Sequence, residues 1–272
     1  MNMKSFALMC ATLLSGTLLL HGSSVSASSR PASVVAPPSL STIPDDAAGA
    51  LVRLGHRIVV NTQEHAGAHV GNALNCSNCQ LDAGRTPHAA PYVGLAAVYP
   101  EYRARNARMN TLEDRVNDCF ERSLNGTALP NDSREMQALV TYIERLSQGI
   151  PKATPLPWRG FPRITLSRSP DPIRGGRLYE ERCTACHGAD GHGTPMAPPL
   201  WGPRSYNIGA GMARVSLAAG FIKATMPLGQ GGTLTDDEAY DLAAFIDSRP
   251  RPDFAKKHLD WPKGDKPADA PY

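Results

Sequence analysis

The chain has 272 residues, room for about two domains of ordinary size, and its formal net charge is only +3. So weak a charge, without a basic run that contains aromatic side chains, argues against a nucleic-acid-binding protein. The 24 prolines, the 24 glycines and the 6% of aromatic residues indicate many loops and a core that needs additional stabilisation.

The first 27 residues are predicted to be a secretory signal peptide. Lys4 gives a short positive start, residues 6–20 form an uncharged apolar run, and small residues lead to a cleavage site after Ala27. The apolar run is shorter than the ~20 residues that a membrane span needs, which disfavours an uncleaved anchor. Since no other segment is long enough, we expect a periplasmic protein with no membrane span after processing.

Two C-x-x-C pairs, one in each half of the chain, indicate an internal duplication. The pairs are Cys76/Cys79 and Cys183/Cys186. A helix is predicted before each pair, over residues 46–59 in the first half and over residues 172–182 in the second. Each half is therefore expected to begin with a helix that leads into its cysteine pair.

A second amphipathic helix follows each pair after a long loop. In the first half it is predicted over residues 134–146, with Tyr142 on its apolar face. In the second half it opens at a capping box formed by Thr235 and Glu238, and Phe245 takes the place that matches Tyr142. No run of alternating strands is visible, so the predicted fold class is mostly α.

The second cysteine pair is followed directly by His187, which completes the C-x-x-C-H pattern of covalently attached haem c. In this pattern the thiols of Cys183 and Cys186 reach the two vinyl groups of haem while the adjacent imidazole reaches iron. The alternative is a disulfide or a zinc pair beside a chance histidine, and a zinc site would need two further ligands that His192 alone does not supply. We therefore predict one haem c at this site.

The iron of that haem needs a sixth ligand, and a methionine in a downstream loop suits electron transfer because it raises the reduction potential. Met226, which is followed by a proline, is the preferred residue. Met212, in a glycine-rich turn, is the alternative, and Met196 also lies downstream.

The first cysteine pair is followed by Gln80 where the iron-binding histidine would stand, which makes a second haem c at Cys76 and Cys79 doubtful. Cys119 lies 39 residues after Gln80, and Met226 lies 39 residues after His187. Cys119 therefore occupies the position of the distal ligand in the first half.

Cys119 is also the odd cysteine of an exported chain, because Cys10 is expected to leave with the signal peptide. Several arginines and a serine lie near it in the sequence, and such a cluster would stabilise a thiolate and bind an oxyanion. These residues are Arg103, Arg105, Arg108, Arg115, Arg122 and Ser123.

These patterns predict two tandem cytochrome c-type domains, over residues 46–149 and 173–250. A proline-rich linker without helical periodicity joins them over residues 150–172. Residues 251–272 are also rich in proline, and we expect them to form an irregular tail.

Five segments around these features resemble the dihaem c-type cytochromes of the thiosulfate dehydrogenase family. They are residues 71–79, 81–85, 110–126, 199–212 and 226–232. The likeness covers most of residues 46–253. It implies an enzyme that oxidises two thiosulfates to tetrathionate and delivers electrons to an acceptor such as another cytochrome c.

The resemblance also implies roles for individual residues. The first haem would have a histidine and the Cys119 thiolate on its iron, and this would be the active site. Arg105, Arg115 and Ser123 would hold the anionic substrate, with Arg105 a better match than Arg103. The second haem would relay electrons with Met226 at its distal position.

Gln80 departs from the family pattern, and three outcomes remain open. In the first, haem attaches at this site with iron bound by Cys119 alone or by a recruited histidine. In the second, the cysteines pair as a disulfide, and in the third, Gln80 replaces an original histidine. The local histidines are His65, His69 and His88. The alternative function is a single-haem, non-catalytic electron-transfer cytochrome.

Overall fold

The computed structural model describes residues 36–272, and the predicted signal peptide lies outside them. The described part of the first half contains six α-helices. These are α1 (Ala47–Val60), α2 (Thr62–Ala66), α3 (Leu81–Gly84), α4 (Leu95–Val98), α5 (Leu112–Asp118) and α6 (Arg134–Leu146). The second half contains four. These are α7 (Pro172–Arg182), α8 (Thr184–His187), α9 (Val215–Thr225) and α10 (Asp236–Asp247). The mostly α prediction is confirmed.

The same close helix crossing occurs in both halves and confirms the duplication. In the first half α1 packs on α6, where a Cβ added to Gly55 would lie 2.1 Å from the carbonyl oxygen of Ala138. In the second half α7 packs on α10, where a Cβ added to Gly175 would lie 2.0 Å from the carbonyl oxygen of Asp241. Only glycine lets the two backbones approach this closely.

One turn further along, each of the later helices carries its matching aromatic residue. Tyr142 is fully buried, and its hydroxyl donates to the carbonyl oxygen of Ala83 at 2.9 Å. Phe245 packs against Tyr179 and Trp201, with ring centroids 5.4 and 5.7 Å away. The two aromatics therefore anchor equivalent cores.

Side-chain caps explain why the long helices begin where the sequence predicted. Ser133 accepts a hydrogen bond from an amide of the first turn of α6, and Asp171 does the same for α7. Thr235 and Glu238 form the predicted capping box of α10. The predicted bounds of α6 and α7 are confirmed, and α1 differs from its prediction by one residue at each end.

A short antiparallel ribbon corrects the expectation that the described chain has no strands. It consists of β1 (Glu101–Arg103) and β2 (Arg108–Asn110), with Tyr102 paired to Met109. Ala107 turns the chain between them with a left-handed backbone (φ 53°). Three residues a strand are too few for an alternating pattern to show in the sequence.

The proline-rich linker contains no helix, and it packs against both halves. Trp158 is buried on the first domain and donates from Nε1 to the carbonyl oxygen of Val93 at 3.1 Å. Phe161 packs on Phe221 of α9, with ring centroids 5.5 Å apart. The linker is therefore a fixed part of the structure.

Residues 204–213 follow the second cysteine pair, yet they pack on the first domain. Tyr206, Ala210 and Ala213 belong to the hydrophobic core of the first domain. Buried Asn207 donates from Nδ2 to the carbonyl oxygen of Glu121 at 2.8 Å. This segment brings the second half of the chain to the edge of the first site.

Within the described range, the helices are too short or too polar to cross a lipid bilayer.

Candidate active site and haem sites

A large cleft, with a volume of about 1710 Å³ including its open mouth, lies over the first cysteine pair. We call it the arginine cleft, because six arginines contribute to its lining. They are Arg103, Arg105, Arg115, Arg122, Arg159 and Arg214. Cys79, Gln80, Cys119 and Ser123 line it as well, and Cys76 lines an adjoining pocket that it shares with Arg115 and Cys119. The structure thus brings together the cysteines, Gln80, Ser123 and all the predicted arginines except Arg108, which pairs with Asp114 at the surface.

Cys119 stands at the end of α5, where the helix changes its winding. The segment Cys119–Ser123 is a π-helical turn, and the amide of Leu124 donates to the carbonyl oxygen of Cys119 at 2.9 Å. Such wide turns are frequent at functional sites. Here the turn places Cys119 at one end and Ser123 at the other, both in the lining of the cleft.

Arg115 precedes Cys119 by one helical turn and contacts its sulfur. Nη1 of Arg115 donates to Sγ of Cys119 at 2.8 Å. The negative charge of a Cys119 thiolate raises the pKa of Arg115, and this outweighs the burial that lowers it. The two side chains are therefore in direct contact in the cleft.

The other five arginines of the cleft each have a carboxylate partner among the described residues. Arg103 and Arg159 pair with Glu101, at 3.1 and 2.6 Å. Arg105 and Arg122 share a further carboxylate, and Arg214 has its own; these partners are Asp260 and Asp269. Arg115 differs from the rest because its partner is a sulfur atom.

The first cysteine pair consists of free thiols, so the disulfide alternative is not formed in this structure. Burial, followed by the charge of Cys119, raises the pKa of Cys79 to about 12, and burial raises the pKa of Cys76 to about 11. The amide of Cys76 donates to Oγ1 of Thr62 at 2.9 Å, which ties the pair to α2. The raised pKa values favour the protonated form of both thiols.

The first site fits only part of what haem c requires. Cys76 and Cys79 are free for thioether attachment, but the residue at the proximal position is Gln80, which is 5% exposed. None of the described histidines lines the cleft or the adjoining pocket. His65 lies beside a glutamate, His69 contacts a threonine hydroxyl at 3.2 Å, and the amide of His88 donates to the linker. The recruited histidine considered above is therefore not found, and the residues present do not complete proximal ligation.

The second site fits haem c at each protein position. Cys183, Cys186 and His187 are carried by the short α8 and the residue before it. Nδ1 of His187 contacts the carbonyl oxygen of Pro198 at 2.8 Å, which leaves the other ring nitrogen for a metal. Burial lowers the pKa of His187 and so favours the neutral imidazole that binds iron.

The three methionines after His187 lie in different surroundings. Met226 directly follows α9 and packs on the core of the second domain, as Cys183 does. Met212 lies between the two cores and lines the arginine cleft, while Met196 is 75% exposed. Both Met226 and Met212 contact the core of the second domain, and Met226 as the ligand of the second haem stays a prediction.

Sequence reasoning missed the contribution of the last residues of the chain. Trp261, Asp265 and Pro267 line the arginine cleft, although this region was expected to be an irregular tail. The region is indeed largely irregular, with one short turn at Lys257–Leu259. No local pattern in the sequence signals its contacts with the first domain.

Comparisons with known proteins agree with this geometry. Residues 68–151 match the family model described as SoxA/TsdA, cytochrome c domain. Residues 170–246 match the model described as cytochrome C oxidase, cbb3-type, subunit III. The chain therefore contains two cytochrome c domains and binds haem c.

Named relatives align with nearly the whole chain. A thiosulfate dehydrogenase from Psychrobacter arcticus is 44% identical over 91% of this chain and 77% of its own length. One from Allochromatium vinosum is 44% identical over 87% of this chain and 92% of its own. The solved thiosulfate dehydrogenase (TsdBA) from Marichromatium purpuratum has a TM-score of 0.76 at 41% identity over 79% of this chain, which spans about half (49%) of that longer chain. The chain belongs to the thiosulfate dehydrogenase family.

Proposed function

We propose that this protein is an exported, periplasmic thiosulfate dehydrogenase, which joins two thiosulfate anions into tetrathionate and releases two electrons. The observation that carries the proposal is the contact between Arg115 and the sulfur of Cys119 inside the arginine cleft. A paired thiolate is a nucleophile, and guanidinium groups around it suit a sulfur oxyanion. The 44% identity to named thiosulfate dehydrogenases supports the same substrate.

Binding and chemistry are assigned to different groups of the cleft. Arg115, Arg105 and Ser123 hold the sulfonate end of thiosulfate, so that its outer sulfur faces Cys119. Because Arg115 stays charged, it also stabilises the negative charge that remains on the sulfonate as the bond forms.

The reaction has two steps whose atoms and electrons balance. First, Sγ of Cys119 bonds to the outer sulfur of thiosulfate, giving a Cys119–S–SO3⁻ adduct with the outer sulfur inserted between Sγ and the sulfonate, and two electrons leave. Next, the outer sulfur of a second thiosulfate attacks the inserted sulfur, and the bond to Sγ breaks. Tetrathionate departs, the Cys119 thiolate is restored, and no proton is transferred.

The electrons leave through the second domain. Cys183 and Cys186 would attach haem c there, and His187 and Met226 would bind its iron. Bound in this way, haem c supplies a one-electron acceptor of raised potential. An external acceptor, such as another cytochrome c, then takes the electrons one at a time.

Gln80 favours a second candidate function, a single-haem electron carrier in which the first domain only shapes docking. Its buried amide stands where an imidazole would bind iron, so the first domain does not complete the iron ligands of a haem. The two candidates differ in whether thiosulfate reduces the protein, and in whether that reduction needs Cys119.

Both candidates can be tested on the exported, purified protein. A pyridine haemochrome assay gives the number of haems per chain, and haem absorbance follows reduction by thiosulfate. We expect thiosulfate to reduce the second haem, and Cys119→Ser to slow this reduction by about 10³-fold or more at equal haem content. Gln80→His should raise the rate, because it restores the missing imidazole.

The electron-carrier function would replace the enzyme under one clear outcome. If neither the wild type nor Gln80→His oxidises thiosulfate or reduces tetrathionate, while the second haem still exchanges electrons with a cytochrome c, the substrate assignment is wrong. Equal rates in the wild type and Cys119→Ser would remove the cysteine from the chemistry.

A further inference from the structure

The last part of the chain forms one wall of the arginine cleft. We call residues 253–272 the C-terminal strap. Trp261, Asp265 and Pro267 of the strap line the cleft. Asp269 pairs with Arg214 at 2.8 Å, so that the strap is also tied to the second domain. The strap thus contributes to the lining of the cleft and contacts the second domain.

A buried carboxylate, Asp260, fixes the strap to the first domain. Its side chain is 2% exposed, and it accepts a bidentate pair of hydrogen bonds from Arg122, both 2.8 Å long. The same carboxylate lies 3.6 Å from Nη1 of Arg105 and accepts a hydrogen bond from the hydroxyl of Tyr272. Asp260 is therefore the shared partner of two arginines that line the cleft.

Arg105 also contacts the strap and residues 204–213. Nη1 donates to the carbonyl oxygen of Gly209 at 2.5 Å, and the guanidinium lies 4.8 Å from the centre of the Trp261 ring. The amide of Trp261 donates to the carbonyl oxygen of Arg105 at 2.6 Å. Trp261 has a left-handed backbone (φ 54°), which a non-glycine residue adopts only when its surroundings impose it.

The positive charges of Arg105 and Arg122 repel each other. Burial, and next the neighbouring charge of Arg122, lower the pKa of Arg105, whereas Asp260 acts in the opposite sense. Two guanidiniums that converge on one cleft need an anion between them to keep both in place. In the protein that anion is Asp260.

We propose that Asp260 is a positioning residue for substrate binding, which holds Arg105 and Arg122 together so that the arginine cleft receives a doubly charged sulfur oxyanion. This inference rests on the proposed function, since it assigns the strap a role in binding thiosulfate. It also explains why an arginine-rich cleft contains a buried carboxylate. Without the charge of Asp260 the two arginines repel each other, and Arg105 leaves the position that faces the substrate.

The test compares Asp260→Asn with the wild type by two independent readouts. Calorimetric titration of the fully reduced protein with thiosulfate measures binding without turnover, because the reduced protein can accept no electrons, and steady-state assays give KM and kcat. We expect Asp260→Asn to weaken binding and raise KM by about tenfold, with kcat within about twofold of wild type. Asp260→Glu should recover most of the loss, because it restores the charge.

A matched control lies on the same strap. Asp253 pairs with Lys257 at the surface and does not line the cleft, so Asp253→Asn should leave both readouts unchanged. If Asp260→Asn does not accumulate, Tyr272→Phe removes only the hydroxyl that donates to Asp260 and should raise KM about two- to threefold. An unchanged KM in these variants, or a fall in kcat alone, overturns the role of Asp260.

The outcome also separates this inference from the proposed function. If the wild type neither binds nor oxidises thiosulfate, the proposed function is wrong. If the wild type binds thiosulfate and Asp260→Asn binds it as well or better, only the positioning role is wrong, since the carboxylate would then merely repel the anion.

Discussion

Replacing Arg115 by alanine should cost the protein a large part of its rate with thiosulfate. The variant removes the donor that lies 2.8 Å from Sγ of Cys119 and the positive charge beside it. A hydrogen bond to a charged group is worth about 1.5–3 kcal/mol, and each 1.4 kcal/mol is about tenfold. We therefore expect kcat/KM for thiosulfate to fall by about 10- to 150-fold. Arg115→Lys should lie in between, because it keeps the charge without the planar pair of donors.

The assay is thiosulfate-dependent reduction of an external acceptor, normalised to haem content. Arg108→Ala is the matched control: Arg108 also belongs to the arginine-rich stretch, but its side chain is 56% exposed and pairs with Asp114. Arg115 itself stays protonated throughout the assay range, because the charge of Cys119 raises its pKa. A kcat/KM within threefold of wild type at equal haem content would refute the role given to Arg115.

Three further variants probe the second domain and the stability of the fold. Met226→Ala should lower the reduction potential of the second haem in a redox titration, since methionine ligation raises it, whereas exposed Met196→Ala should not. Gly175→Ala should destabilise the protein by about 1–3 kcal/mol and lower Tm in a thermal melt, because the added Cβ would lie 2.0 Å from a backbone oxygen. The control Gly67→Ala should change Tm little, since the added Cβ would lie in open space. Burial raises the pKa of Asp247 from 3.8 to about 7, so the folded protein binds this proton more tightly than the unfolded chain and loses stability as pH rises between these values. Asp247→Asn should therefore narrow the difference in Tm between pH 4 and pH 8, and an unchanged difference would contradict this account.

The parts of the fold that could be predicted are those with local causes. The capping box of Thr235 and Glu238 sets the start of α10 within four residues of sequence, so the pattern alone is sufficient. The contact of Arg115 with Cys119 follows in the same way, because residues four apart face each other on a helix. The 39-residue spacing placed Cys119 in the distal position, and the structure does bring it to the cleft.

The parts that could not be predicted depend on distant partners. Asp260 and Arg122 are 138 residues apart in sequence, and nothing near either residue specifies the other. The strap was expected to be irregular, which is correct for its backbone but says nothing of what its side chains contact. Residues 204–213 likewise pack on the first domain through Tyr206, an association between halves that no local pattern contains.

Gln80 separates anion binding from electron transfer, two properties that would otherwise occur together in the first site. Gln80 lines the arginine cleft, but the contacts that hold Arg115, Arg122 and Cys76 do not involve its side chain: Arg115 contacts Cys119, Arg122 pairs with Asp260, and Cys76 donates to Thr62. Anion binding therefore depends on elements that remain whether residue 80 is glutamine or histidine. The imidazole that residue 80 would supply affects only how electrons leave the cleft. It follows that the wild type and Gln80→His should bind thiosulfate with equal affinity but oxidise it at different rates. Comparing the two proteins therefore measures the contribution of the proximal ligand to turnover alone.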